Sequence, residues 1–198
     1  MDAENLEPDV PLIALPKEFY NSDTGQPIAH CIMCNRFLLE NGVTYMIEKA
    51  IKQHHELNFA EPIFEYAMCM ACAIKMNAAL SEESRMRIND YFGRHVNFER
   101  RRAALERKSA TEIQPWIEHC LIKNTPIHES GEYQLVAQCY GDKLLMTSMP
   151  FALSLEALEE MSGLLSAKSQ GEMDDFIGRY FSGPPEVAEL LKKKFVLI

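Results

Sequence analysis

At 198 residues, 47% of them hydrophobic, the chain has enough apolar surface to bury one sizeable core or two small ones, which excludes wholesale disorder. A net charge of -9 excludes a protein that coats nucleic acid over its whole surface. The acidic start, Met1-Asp2-Ala3-Glu4-Asn5-Leu6-Glu7, does not read as a secretory leader, and no run approaches the roughly 20 apolar residues that span a bilayer. The expected setting is cytoplasmic and reducing, where six cysteines point to metal binding and buried thiols rather than disulfides.

Residues 1–27 read as an extended arm. Pro8, Pro11, Pro16 and Pro27 interrupt any helix, and Leu12, Ile13 and Leu15 can pack onto the body. Residues 28–80 carry two cysteine pairs. After the turn signal Asn41-Gly42, residues 43–51 are rich in β-formers and predict a strand, with 63–68 as its partner. The polar stretch 53–58 predicts a loop excursion between them. From Met70 the chain is rich in helix formers.

Residues 81–198 predict a helix-rich α+β region. Ser81-Glu82-Glu83 has the capping hydroxyl and first-turn acids of a fresh helix start. Gly93 predicts a break, and Pro115 a first-turn proline. Residues 132–149 predict a second β-hairpin around Gly141-Asp142. Ser154 is then expected to cap an amphipathic helix whose Leu155, Leu158, Met161, Leu164 and Leu165 fall on one face. A short helix is expected over 173–181, a break at Gly183-Pro184-Pro185, a last helix over 186–194, and a docked apolar tail at 195–198. No internal repeat and no flexible linker stand out, so the regions are expected to share one core.

The strongest chemical signal is Cys31-Ile32-Met33-Cys34 followed by Cys69-Met70-Ala71-Cys72. Two C-x-x-C pairs bring four thiolates to one ion, and four protein ligands complete a tetrahedral zinc site with no open position. Four thiolates also suit an iron centre, and four buried thiols are the plainer reading. His30 adjoins the first pair and could donate to a sulfur. The order of knuckle, β-hairpin and cysteine pair at a helix start resembles the treble-clef zinc domains over about residues 28–80. The resemblance implies that Cys31 and Cys34 are knuckle ligands and that Cys69 and Cys72 are helix-end ligands of a structural zinc. The glycine or proline often found in such knuckles is replaced here by Ile32, Met33 and Asn35.

The expected fold class is therefore α+β: a treble-clef-like zinc module, a helical middle, a second hairpin and a helical C-terminal section. The expected function is a non-catalytic structural or interaction module with a protein partner and no membrane partner. Two alternatives stand beside it. Residues 85–108 hold eight basic residues against three acidic ones, so Arg94, Arg100, Arg101 and Arg102 could face nucleic acid. Some treble-clef proteins are HNH-type nucleases, and His54-His55 lies between the cysteine pairs; against this, Ala73 stands where such enzymes carry a histidine. His119, Cys120, His128 and Cys139 match no standard ligand spacing, and Cys139 is read as a buried thiol. No phosphate loop, nucleophile elbow or His-Glu-x-x-His motif occurs.

Overall fold

The β-formers after Gly42 build the longest pairing in the molecule. The structure, a computed structural model, describes residues 10–57, 59–108 and 111–181. The expected last helix over 186–194, the tail at 195–198 and the start of the arm, residues 1–9, lie outside the described residues. Strand β1 spans Leu12–Ala14. Strands β2 (Thr44–His54) and β3 (Phe59–Cys69) form an antiparallel hairpin, running from Tyr45 opposite Cys69 to His54 opposite Phe59. The expected excursion over 53–58 is shorter than read. Pairing includes Gln53 and His54, because His54 bonds Glu61 across the ladder at 2.8 Å and stacks on Phe59. The register shifts between Ala50 and Ile51, next to the position where Pro62 has no N–H to donate; β3 accommodates that proline as an edge strand.

The other edge of β2 pairs antiparallel with β4 (Glu132–Tyr140). Beyond β4 lie two short strands, β5 (Lys143–Leu145) and β6 (Phe151–Ser154), which pair with opposite ends of it. Strand β1 adds to β5, giving the order β1-β5-β4-β2-β3 with β6 also on β4. The arm is thus a strand of the sheet from Leu12 onward, and Leu15 and Phe19 are buried beyond it. The second hairpin turns at Gly141, whose φ of +57° suits glycine and whose Cβ, if present, would stand 3.1 Å from the Glu40 carbonyl oxygen. Because β4 is central, both of its faces are covered: Gln134 and Val136 are as buried as Leu135 and Ala137.

Helix α1 (Met70–Ala79) leaves β3 directly. Ser81 caps α2 (Glu82–His95), its Oγ accepting the Ser84 amide. Gly93 does not break this helix; it continues to His95 and stops at Val96. Helices α3 (Phe98–Lys108) and α4 (Gln114–Ile117) follow, the latter with Pro115 in its first turn. Ser154 stands at the N-cap of α5 (Leu155–Ser162) but its side chain does not cap the helix, its Oγ donating to Cys120 Sγ instead, and the helix ends before Leu164. Helix α6 (Ala167–Tyr180) starts earlier than residue 173 because Ser166 caps it, accepting the Ser169 amide. Buried apolar side chains from both hairpins and from α1, α2, α4, α5 and α6 meet in one hydrophobic cluster.

One buried ion pair fixes the arm to the first hairpin. Lys49 Nζ lies 3.0 Å from Glu65, with both side chains under one-tenth exposed, and also donates to the Tyr20 carbonyl at 2.7 Å. Glu65 further accepts from Asn21 Nδ2, Ser22 N and Ser22 Oγ. Removing one member leaves the other charged and buried. Glu65→Ala is expected to cost roughly 3–5 kcal/mol, read as a lower urea midpoint with an unchanged slope. A loss below about 1 kcal/mol would assign the arm no anchoring role.

Candidate metal centre

The knuckle forms because its backbone bonds close on themselves. Cys31 N donates to the Arg36 carbonyl and Asn35 N donates to the Cys31 carbonyl, each at 2.9 Å. Asn35 has φ +58°, the left-handed conformation the chain needs here. Asparagine tolerates that conformation better than most residues, which explains how a knuckle without glycine still turns. Ile32 N then donates to the Ala67 carbonyl at 2.9 Å, docking the knuckle beside the end of β3. Cys69 ends β3 and precedes the first turn of α1, and Cys72 lies one turn further.

This brings Cys31, Cys34, Cys69 and Cys72 together, with all four sulfurs within 4.8 Å of one another. The four cysteines predicted from spacing are therefore one cluster. It is the one group of three or more potential ligands of this kind among the described residues. The Cys34 and Cys69 sulfurs are 3.7 Å apart. Ligands at 2.3 Å in a tetrahedron have sulfurs about 3.8 Å apart, so this separation fits a shared ion. It is far beyond the roughly 2.05 Å of a disulfide, and all six cysteines are free thiols. Cys31, Cys69 and Cys72 are buried, while Cys34 is exposed.

The four thiols differ in their electrostatic surroundings. Burial pushes the Cys31 thiol up, but amide donors from Cys69, Cys34 and Met33 outweigh it and bring the group down to about 7. Cys69 and Cys72 are pushed up chiefly by burial; the Cys72 amide and thiol partly offset this at Cys69, whereas at Cys72 bonds to the other three sulfurs add to it. Cys31 is thus the thiol its surroundings make easier to ionise, and Cys69 and Cys72 the ones they make harder. The first turn of α1 adds the positive end of its dipole beside Cys69 and Cys72.

The histidines are elsewhere. His54 is at the far end of the hairpin, roughly 30 Å along β2 from the Tyr45–Cys69 pair at ~3.3 Å per residue. His30 is exposed and packs on Phe37, centroids 5.5 Å apart. His119 is beside Glu118, and Cys139 is buried in β4, where burial pushes its thiol up to about 12. Among the described residues, His119, Cys120, His128 and Cys139 do not converge into a ligand group.

Within the basic segment, Arg101 is committed to the protein, while Arg87, Arg94, Arg100, Arg107 and Lys108 are exposed. Arg101, expected by charge pattern to face outward, is turned into the protein. Its guanidinium donates to the carbonyls of Trp116, Pro150 and Ser148 and lies 5.3 Å above the Trp116 ring. Burial lowers its pKa to about 10. Arg102 pairs with Glu106 at 2.7 Å. Arg94 and Arg100 are exposed, Arg94 lying 3.9 Å from Asp90. No family model matches the chain, and no curated protein or solved structure is significantly similar to it. No helix among the described residues is long and apolar enough to cross a membrane.

Two outcomes are expected. Cys69→Ser should lose bound metal and lower the melting temperature, because metal binding and folding are linked; unchanged metal content and melting would contradict the cluster's role. Since Cys69 and Cys72 must shed protons to bind, zinc binding should release protons and tighten as pH rises from about 6 to 8. Calorimetry in buffers of different ionisation enthalpy measures that release, and a buffer-independent heat would contradict it.

Proposed function

We propose that this protein is a metal-stapled, non-catalytic module that binds a protein partner, with a structural zinc held by Cys31, Cys34, Cys69 and Cys72. The observation that carries the metal half is the convergence of four sulfurs within 4.8 Å. A full thiolate set leaves no coordination position for water or substrate, which favours a structural role over a hydrolytic one. The order of knuckle, hairpin and helix-end cysteines supports the treble-clef reading, in which metal joins the knuckle to the start of α1. All-sulfur ligation favours zinc or iron over harder cations. Zinc is the choice here, since it needs no redox partner to hold one geometry.

The partner half is supported by a groove of about 670 Å³ between α2, the start of α3 and residues 148–151. Leu80, Met86, Phe92, Phe98 and Met149 line it, with Arg85 and Glu82 also present. Met86 is 56% exposed. Apolar anchors set among charges are what a protein-binding groove presents. The basic-segment alternative is weakened by the internal bonds of Arg101 and Arg102, and the nuclease alternative by the distance of His54 from the cysteines.

The test compares wild type with Met86→Asp by affinity capture from cells that express the protein. Metal content and melting should match in the two chains. A protein retained by wild type and lost from Met86→Asp is expected. Equal retention of every captured protein would remove the groove from the account.

A further inference from the structure

Although no internal repeat stands out in the sequence, two segments 89 positions apart share residues and backbone geometry. His30-Cys31-Ile32-Met33-Cys34-Asn35 finds its counterpart in His119-Cys120-Leu121-Ile122-Lys123-Asn124. The correspondence is geometric. Cys31 N bonds the Arg36 carbonyl at 2.9 Å, and Cys120 N bonds the Thr125 carbonyl at 2.8 Å. Asn35 N returns to the Cys31 carbonyl as Asn124 N returns to that of Cys120. Asn35 and Asn124 are the two non-glycine residues with positive φ among those described, at +58° and +54°. An isolated bridge brackets each loop, His30 with Phe37 and His119 with Pro126.

The docking repeats as well. Ile32 N donates to the Ala67 carbonyl at 2.9 Å, and Leu121 N to the Ala152 carbonyl at 2.8 Å. Cys69 N donates to Cys31 Sγ at 3.4 Å, and Ser154 N to Cys120 Sγ at 3.3 Å. Tyr45 stands opposite Cys69 across β2 and β3, as Tyr133 stands opposite Ser154 across β4 and β6. Cys69 precedes α1, and Ser154 precedes α5.

Beyond those helices, Leu80-Ser81 leads into α2 and Leu165-Ser166 into α6, each helix 14 residues long and each ending in a Gly-Arg-aromatic triplet, Gly93-Arg94-His95 and Gly178-Arg179-Tyr180. The two capped starts face each other. Ser81 N donates to Ser169 Oγ and Ser166 N to Ser84 Oγ, both at 2.9 Å, with Ser81 Oγ and Ser166 Oγ 2.8 Å apart. The helices exchange partners: Phe176 of α6 packs on Tyr66 of β3, and Phe92 of α2 packs on Phe151 of β6. The antiparallel pair β2 and β4 lies between the two copies, as a two-fold relation requires.

We propose that the chain is an internal duplication of one metal-binding unit, and that Cys120, Lys123, Ser154 and Ala157 are a latent copy of the four-cysteine site. Cys120 keeps the place of Cys31, Lys123 takes that of Cys34, Ser154 that of Cys69 and Ala157 that of Cys72. The metal's joining role has passed to local bonds. Cys120 Sγ accepts from Ser154 Oγ at 3.2 Å and from Lys123 N at 3.4 Å. The Lys123 ammonium, one positive charge in place of a cation, pairs with Glu156 at 3.1 Å and with Glu160. The ligand class the restored site would take is a thiophilic divalent cation. This inference rests on the metal reading of the first site.

The test restores the missing sulfurs. Zinc content and cobalt titration, read through thiolate-to-cobalt absorption, are measured on the full chain as wild type and as K123C/S154C/A157C. Wild type is expected to bind one ion and the triple variant two. A folded triple variant that still binds one overturns the duplication of the site and leaves the first site intact. A wild type that binds none overturns the metal reading, and this inference with it. Should the triple variant not fold, K123C/S154C supplies three thiolates with Cys120. A second cobalt equivalent in that variant supports the latent site, and its absence overturns it.

Discussion

Four sulfurs held within 4.8 Å impose the constraint on which the N-terminal half depends. Such a group cannot carry four negative charges in a buried pocket unless a cation offsets them. The amides that lower Cys31 support one thiolate only. A bound metal would offset that charge and add a further link between the loop, the end of β3 and the start of α1, which the Ile32–Ala67 and Cys69–Cys31 hydrogen bonds already hold together. The hairpin then extends from this fixed point, and its far end is free to carry polar residues such as His54 and Glu61.

The same joint exists in the second half without the metal. There a hydrogen-bonded thiol at Cys120 and an ion pair at Lys123 hold the knuckle to the start of α5. The comparison separates what the backbone does from what the metal does. The knuckle turn, its left-handed asparagine and its docking on the strand are present in both copies, so they are properties of the backbone. A metal in the first copy would add links between the sulfurs. Crossed serine caps and exchanged aromatic contacts bind the copies into one core, in the manner of a dimer written as one chain.

The cysteine cluster was legible because C-x-x-C is a local pattern whose chemistry does not depend on the rest of the fold. The first hairpin was legible from the β-formers that follow Asn41-Gly42, and the second from those that flank Gly141-Asp142. The strand pairing of β1 was not, since three residues carry no period, and only the β5 edge makes Leu12–Ala14 a strand. Arg101 read as part of a charged face because its partners are carbonyls of Trp116, Ser148 and Pro150, which no charge pattern reveals. The repeat was hidden for a related reason. Three of the four ligand positions changed identity, and the shared residues are spread thinly among different neighbours. Asn35 and Asn124 were the available signal: each follows a His-Cys pair at the same spacing.

The central claim is that one ion sits among Cys31, Cys34, Cys69 and Cys72. X-ray absorption at the zinc edge, on protein purified without a chelating tag, tests it most directly. The account predicts four sulfur neighbours at about 2.3 Å and no nitrogen or oxygen in the coordination sphere. A mixed shell with nitrogen or oxygen ligands, or folded protein with no edge signal, would contradict it.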